Sequence, residues 1–163
     1  SDSLKLVRGL RQLTFSNDGK CEYLIQELDA TLTTFSFDRN GNLKKIAETN
    51  ILPKGFQGGT GAAAIKISPD GKFLYVTDRV DVNAISVYRI LRNGGLQLIE
   101  QVSTLGKGPR DFAIDPSGNY LLVGNQYAND IVIFKRNKAT GTLTDTGKKI
   151  ELCAPVCLVF TNN

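Results

Sequence analysis

The chain has 163 residues, 41% hydrophobic and 22% charged, a balance that fits one globular domain and argues against a disordered or membrane-embedded chain. It contains no histidine, which removes Ser-His-Asp and Cys-His pairs, imidazole bases and His-ligated metals from its chemistry. Twenty Lys plus Arg against sixteen Asp plus Glu give a scattered net charge of +4, so no nucleic acid is expected as a partner, and a small anionic ligand fits the charge equally well.

The chain opens on Ser1-Asp2-Ser3, unlike a signal peptide, and no apolar run approaches the roughly 18 residues of a membrane span. A soluble, cytoplasmic chain without a membrane partner is expected. Leu4-Lys5-Leu6-Val7 looks like an isolated last strand. Four short β-prone runs follow at 13–16, 21–26, 31–37 and 43–49, separated by turn residues. The glycine-rich stretch 53–61 comes next; it lacks the Gly-Lys-Ser/Thr ending and following helix of a phosphate loop, and is expected to be a mobile flap. Four more runs occupy 64–68, 73–77, 84–90 and 96–102, and another four occupy 112–115, 120–124, 130–135 and 143–151. The stretch 155–160 looks like an isolated first strand. No run has the length and period of a long helix.

Two landmarks recur in one register. Ser16-Asn17-Asp18-Gly19-Lys20, Ser68-Pro69-Asp70-Gly71-Lys72 and Asp115-Pro116-Ser117-Gly118-Asn119 are spaced by 52 and then 47 residues. Gly41-Asn42-Leu43, Gly94-Gly95-Leu96 and Gly141-Thr142-Leu143 keep nearly the same step. Four antiparallel strands per repeat of about 45 to 50 residues is the pattern of a β-propeller blade. Sheets packed on both faces also explain Ile131-Val132-Ile133-Phe134, where hydrophobicity barely alternates. The predicted fold is all-β, one partial propeller domain over 1–163, with blades at about 9–52, 62–105 and 109–151 and a closing strand at 154–160. Rings need four to eight blades, so each outer blade should leave roughly 350 Å² of sheet uncovered. The expected cover is the remaining blades of the same protein or a second copy.

In a blade, the connections entering the first strand and leaving the second lie on one side of the disc. Arg11 and Arg110 precede the first strands, and Gln26-Glu27, Asp78-Arg79 and Asn125-Gln126 follow the second. Arg11, Arg79 and Arg110 around Glu27 would suit a phosphorylated or carboxylated ligand, because planar guanidinium binds oxyanions through paired hydrogen bonds. Glu27 is then the obvious general base. The alternative is that Glu27 and Arg79 pair between blades and that Arg11 and Arg110 cap loops. Asp18, Asp70 and Asp115 lie at the opposite turns, where aspartate bonds its own backbone. Cys21, Cys153 and Cys157 are expected as unpaired structural thiols.

Several stretches carry a family likeness. Gly9-Leu10-Arg11-Gln12, Gln26-Glu27-Leu28, the run Ile67-Ser68-Pro69-Asp70-Gly71-Lys72-Phe73-Leu74-Tyr75, the run Gly108-Pro109-Arg110-Asp111-Phe112-Ala113-Ile114-Asp115-Pro116 and Gly124-Asn125-Gln126 resemble the lactonase family of seven-bladed propellers. The resemblance covers essentially the whole chain and corresponds to the C-terminal half of the family's. It implies hydrolysis of a sugar lactone of the 6-phosphogluconolactonase type with no metal or cofactor. Glu27, Arg79 and Arg110 fall on catalytic positions, and Arg11, Gln12, Lys66 and Gln126 would bind a small anionic substrate. By the same likeness a muconate-type cycloisomerase is an alternative. Gln12 stands where the family has histidine, and Ala64 and Lys66 where relatives often carry Asp and His. Glutamine transfers no proton near neutral pH, so a non-catalytic propeller binding an anionic metabolite or a protein is the third reading.

Overall fold

Apolar residues on both faces of short strands leave a sheet without a solvent side, and in the computed structural model, which describes residues 9–161, such sheets stack face to face. The first blade is β1 (Leu10–Phe15), β2 (Cys21–Gln26), β3 (Thr31–Phe37) and β4 (Leu43–Asn50). The second is β5 (Ala62–Ile67), β6 (Phe73–Asp78), β7 (Ala84–Ile90) and β8 (Leu96–Ser103). The third is β9 (Pro109–Ile114), β10 (Tyr120–Asn125), β11 (Asp130–Arg136) and β12 (Leu143–Glu151). Each is a four-stranded antiparallel meander in chain order, the organisation of propeller blades. No described residue is helical, and no helix is long and apolar enough to cross a membrane. The strand expected at 4–7 lies outside the described residues.

Two expectations need correction. The first strands begin earlier than their apolar runs, so Arg11 and Arg110 lie inside β1 and β9 rather than ahead of them. A register shift explains why: Leu10 pairs with Gln26 but Gln12 with Ile25, and Asn125 pairs with Pro109 but Gly124 with Asp111. Arg11 and Arg110 are the extra residues of β-bulges, which break the alternation that marks a strand in sequence. The second blade has the same irregularity between Ala62 and Ile65, and the Ala64 amide there donates to the Thr77 hydroxyl at 3.1 Å. Second, residues 155–160 form no strand. They lie against the third blade, where the Leu158 amide donates to Asp111 Oδ2 at 2.8 Å. Pro155 and Leu158 pack so close to Gly124 that a Cβ there would sit 3.2 Å from Pro155 Cβ.

Blades meet through repeated contacts. Tyr23, Ile25 and Leu32 pack on Ile65, Leu74 and Val76 between the first and second. Phe73, Tyr75 and Val87 pack on Phe112, Leu121 and Phe134 between the second and third. At each junction a buried tyrosine hydroxyl reaches a turn carbonyl of the next blade, Tyr23 to Gly94 at 3.0 Å and Tyr75 to Gly141 at 2.7 Å. Both glycines have φ near +80° and are pressed against Cys21 and Phe73, so no side chain fits. Their equivalent in the first blade, Gly41, faces nothing within 4 Å.

That contrast identifies an uncovered flank. Leu13 is 45% exposed, whereas its repeat equivalents Ile65 and Phe112 are 1% and 0%. At the other end Tyr120 is 44% exposed against 0% for Phe73. The difference is the neighbouring blade each buried position has. In dilute solution the 163-residue chain by itself is expected to self-associate or aggregate, because such apolar patches are otherwise rare on monomers. A monodisperse monomer of ordinary stability in light scattering would contradict this.

The aspartates of the β1–β2, β5–β6 and β9–β10 turns bond locally. Asp18 accepts the Lys20 amide at 3.1 Å, Asp70 the Lys72 amide at 3.1 Å, and Asp115 the Tyr120 amide at 2.6 Å. Burial works against ionisation at Asp70 and Asp115, but hydrogen bonds from Ser68 and Ser117, the turn amides and, at Asp70, Arg136 outweigh it, so both lie below the ordinary 3.8. A carboxyl lowered in the fold contributes stability that is complete above the unfolded value and lost as pH falls through the folded one. Stability should therefore fall as pH drops below about 4, and Asp70→Asn should flatten the drop in urea titrations. An unchanged slope would refute the assignment.

The glycine-rich stretch is tied to the second blade. Thr60 Oγ1 and the Gly61 amide donate to Asp78, and the Gly59 amide donates to Asp81 at 2.6 Å. Cys21 is buried, Cys153 and Cys157 are exposed, and all three are free thiols.

Candidate active site

Three backbone hydrogen bonds set the rim. The amides of Glu27, Arg79 and Gln126 donate to the carbonyls of Gly9, Gly61 and Gly108 at 2.8, 3.2 and 2.8 Å. These are repeat-equivalent residues, so the fold holds a glutamate, an arginine and a glutamine at one level of three successive blades. The bulges hold a second set, Arg11, Ala63 and Arg110. Bulges re-aim side chains beside sites. Ala63 stands where its two equivalents carry guanidinium groups, and its short side chain lies in a depression of about 380 Å³ that Arg11, Gln12, Lys66, Arg110 and Asp111 also line.

The residues after the second strands divide in role. Asp78 and Asn125 are buried and structural: Asp78 holds Thr60 and Gly61, and Asn125 donates to the Thr104 carbonyl at 3.1 Å and to Asp130 at 2.9 Å. Glu27 and Arg79 form a half-buried ion pair across the first and second blades. Burial lowers the Arg11 guanidinium below its ordinary value, repulsion from Arg110 adds to this, attraction to Glu27 opposes it, and Arg79 and Asp111 act more weakly. Arg11 therefore sits within the field of all four groups. The Nε atoms of Arg11 and Arg79 are buried and have no hydrogen-bond partner among the described residues. A buried donor left unpaired costs about 1–3 kcal/mol, so both nitrogens favour an acceptor.

Two residues expected to bind substrate have structural partners. Gln12 Oε1 accepts the Ile65 amide at 3.0 Å, linking the first strands of two blades. Lys66 Nζ is 2.8 Å from Asp111 Oδ1, donates to the Phe112 carbonyl and lies 5.4 Å from the Phe112 ring centre. Gln126 is half-buried and, like Glu27 and Arg79, lies outside the lining of the depression. Asp111 is the carboxylate that sequence reasoning passed over. It follows Arg110 as Gln12 follows Arg11, and that register was its available signal.

Residues 3–160 match the family described as Lactonase, 7-bladed beta-propeller. The 6-phosphogluconolactonase of Formosa agariphila is 44% identical over 147 residues, covering 88% of this chain and 41% of that protein. The 6-phosphogluconolactonase of Bacillus subtilis is 31% identical over 154 residues, covering 93% and 44%. The structure of the periplasmic gluconolactonase of Pseudomonas aeruginosa superposes with a TM-score of 0.91 at 35% identity, over 95% of this chain and 43% of that one. A protein from Lactobacillus plantarum gives a TM-score of 0.87 at 34% identity, over 92% and 44%. The chain thus spans less than half the length of these relatives.

Proposed function

The chain belongs to the seven-bladed β-propeller lactonase family, and we propose that it supplies part of a ring that hydrolyses a sugar lactone of the 6-phosphogluconolactonase type. Three blades in 43% of a similar chain correspond to about seven in the whole (3/0.43). The proposed cover for the open flanks is therefore the rest of the ring.

The observation that carries the reading is the Glu27–Arg79 ion pair beside a depression lined by Arg11 and Arg110, with the Nε atoms of Arg11 and Arg79 buried and unpaired among the described residues. In the proposed reaction Arg11, with Lys66 and Gln12 beside it, holds the substrate's anionic group. Arg79 and Arg110 face the lactone carbonyl and stabilise the oxyanion that forms when water adds to it. Glu27, oriented by Arg79, takes the proton from that water. The tetrahedral intermediate then expels the ring oxygen, which receives the proton from Glu27, and the product is an open hydroxy acid. Gln126, at the equivalent rim position of the third blade, would meet a substrate that extends that way.

Gln12 and Lys66 being bound to neighbouring blades favours a second reading, an anion-binding propeller without turnover. Hydrolysis of a phosphorylated sugar lactone by a protein carrying the complete ring decides between them. Turnover supports the lactonase; binding of the phosphorylated hydroxy acid with no turnover supports the second reading.

A further inference from the structure

Both oxygens of Asp111 are used, and on two different elements. Oδ1 accepts Lys66 Nζ from the second blade at 2.8 Å, and Oδ2 accepts the Leu158 amide at 2.8 Å. The second bond repeats one made elsewhere. Gln12, the residue after the bulged Arg11, accepts the Ile65 amide from the next blade's first strand. Asp111, the residue after the bulged Arg110, accepts the Leu158 amide in the same way. Residues 155–160 therefore run where a further blade's first strand would begin, and Val156, Cys157, Leu158 and Val159 form one wall of the arginine-lined depression.

We propose that Asp111 is a positioning residue of the anion site: one carboxylate holds Lys66 on one side of the depression and the 155–160 wall on the other. The inference rests on the proposed function only in taking a sugar lactone as the ligand. It differs from a simple charge effect in sign. If Asp111 were just a negative charge among arginines, neutralising it would tighten the binding of an anion. As a positioning group, its loss frees Lys66 and the wall, and anion binding weakens.

The geometry also supplies a second perturbation that leaves all charges in place. Valine at Gly124 would collide with Pro155 and Leu158 and push the wall away from β10, while Asp111 keeps its carboxylate. The experiment uses the ring-complete protein and reads two quantities. Hydrogen exchange of the Leu158 amide should accelerate by about 10-fold or more in Asp111→Ala and in Gly124→Val, with exchange in β6 unchanged as a check on folding. KM for the lactone should rise by about 10-fold in both variants while kcat stays within about 2-fold. Asp145→Asn, which removes an exposed carboxylate in β12, should alter neither quantity. Unchanged Leu158 exchange, or a KM that falls on Asp111→Ala, overturns the proposal. If the wild-type protein hydrolyses no lactone, the functional reading fails separately, and the Kd for inorganic phosphate replaces KM with the same expected direction and the same overturning result.

Discussion

Replacing Glu27 by glutamine in a ring-complete protein should lower kcat for lactone hydrolysis by a factor of about 10²–10⁴, the contribution of a positioned general base. The substitution is conservative in shape. Glutamine keeps an oxygen able to accept from Arg79, and the backbone bonds from the Glu27 amide to Gly9 and from the Ala62 amide to the Glu27 carbonyl do not involve the side chain. What disappears is the ability to take a proton from water. The fold should be preserved, with an unchanged circular dichroism spectrum, and KM should change less than kcat because the guanidinium groups that hold the anion remain. Turnover equal to the wild type would remove Glu27 from the mechanism and leave the ion pair with Arg79 as its whole role. A comparison with Arg79→Lys sharpens the test: lysine keeps the charge but loses the planar fork, so oxyanion stabilisation should fall even though Glu27 still has a cationic neighbour.

The largest effect on stability is expected at Arg136, which has no part in the site. Its side chain is 1% exposed and is enclosed by the second and third blades. Nε donates to the Tyr75 hydroxyl at 2.7 Å, Nη1 to the Gly118 carbonyl at 2.9 Å, and Nη2 lies 3.3 Å from Asp70 Oδ2. The guanidinium carbon also stands 5.4 Å from the centre of the Phe73 ring. Burial pushes the Tyr75 phenol up to about 12, against the opposing pull of Arg136, so the hydroxyl is neutral and free to donate onward to Gly141. Arg136→Met fills similar volume but leaves the Gly118 carbonyl without its donor and Asp70 without its cation. A loss of about 3 kcal/mol is expected, within the range for breaking a buried charged network. The measurement is the midpoint of urea unfolding at constant m-value. Removing Lys45, whose pair with Glu48 is exposed on β4, should cost under about 1 kcal/mol and serves as the control. Equal effects at the two positions would show that the Arg136 network contributes no more than a surface pair.

Much of the architecture could be read locally. The bounds of β2, β3, β7 and β12 coincide with their β-prone runs, because strand propensity and turn residues act within a few positions of each other. The Ser-x-Asp-Gly turns of the first two blades, the Asp-x-Ser-Gly turn of the third and the repeated Gly-x-Leu landmark carried the count of blades for the same reason. The first strands were misjudged at their beginnings. A bulge inserts one residue, breaks the alternation, and puts Arg11 and Arg110 inside the sheet rather than ahead of it. The segment 155–160 has the composition of a strand, but strand structure needs a hydrogen-bonded partner, and composition does not supply one.

The chain's own residue order thus determined an all-β repeat, its turn aspartates, and two repeat-equivalent sets, Glu27 with Arg79 after the second strands and Arg11 with Arg110 at the first. Tertiary structure decided which of those polar groups bind one another: Gln12 with the Ile65 amide, Lys66 with Asp111, and Arg136 with Tyr75 and Asp70, across 45 to 66 residues. The reason is geometric. Strand pairing within a blade follows from a period of two and a short turn, whereas a contact between blades depends on sheet twist, on bulge position and on which face each side chain takes. Those quantities are set by packing one sheet on another, so residues half a hundred positions apart become partners without any local mark of it.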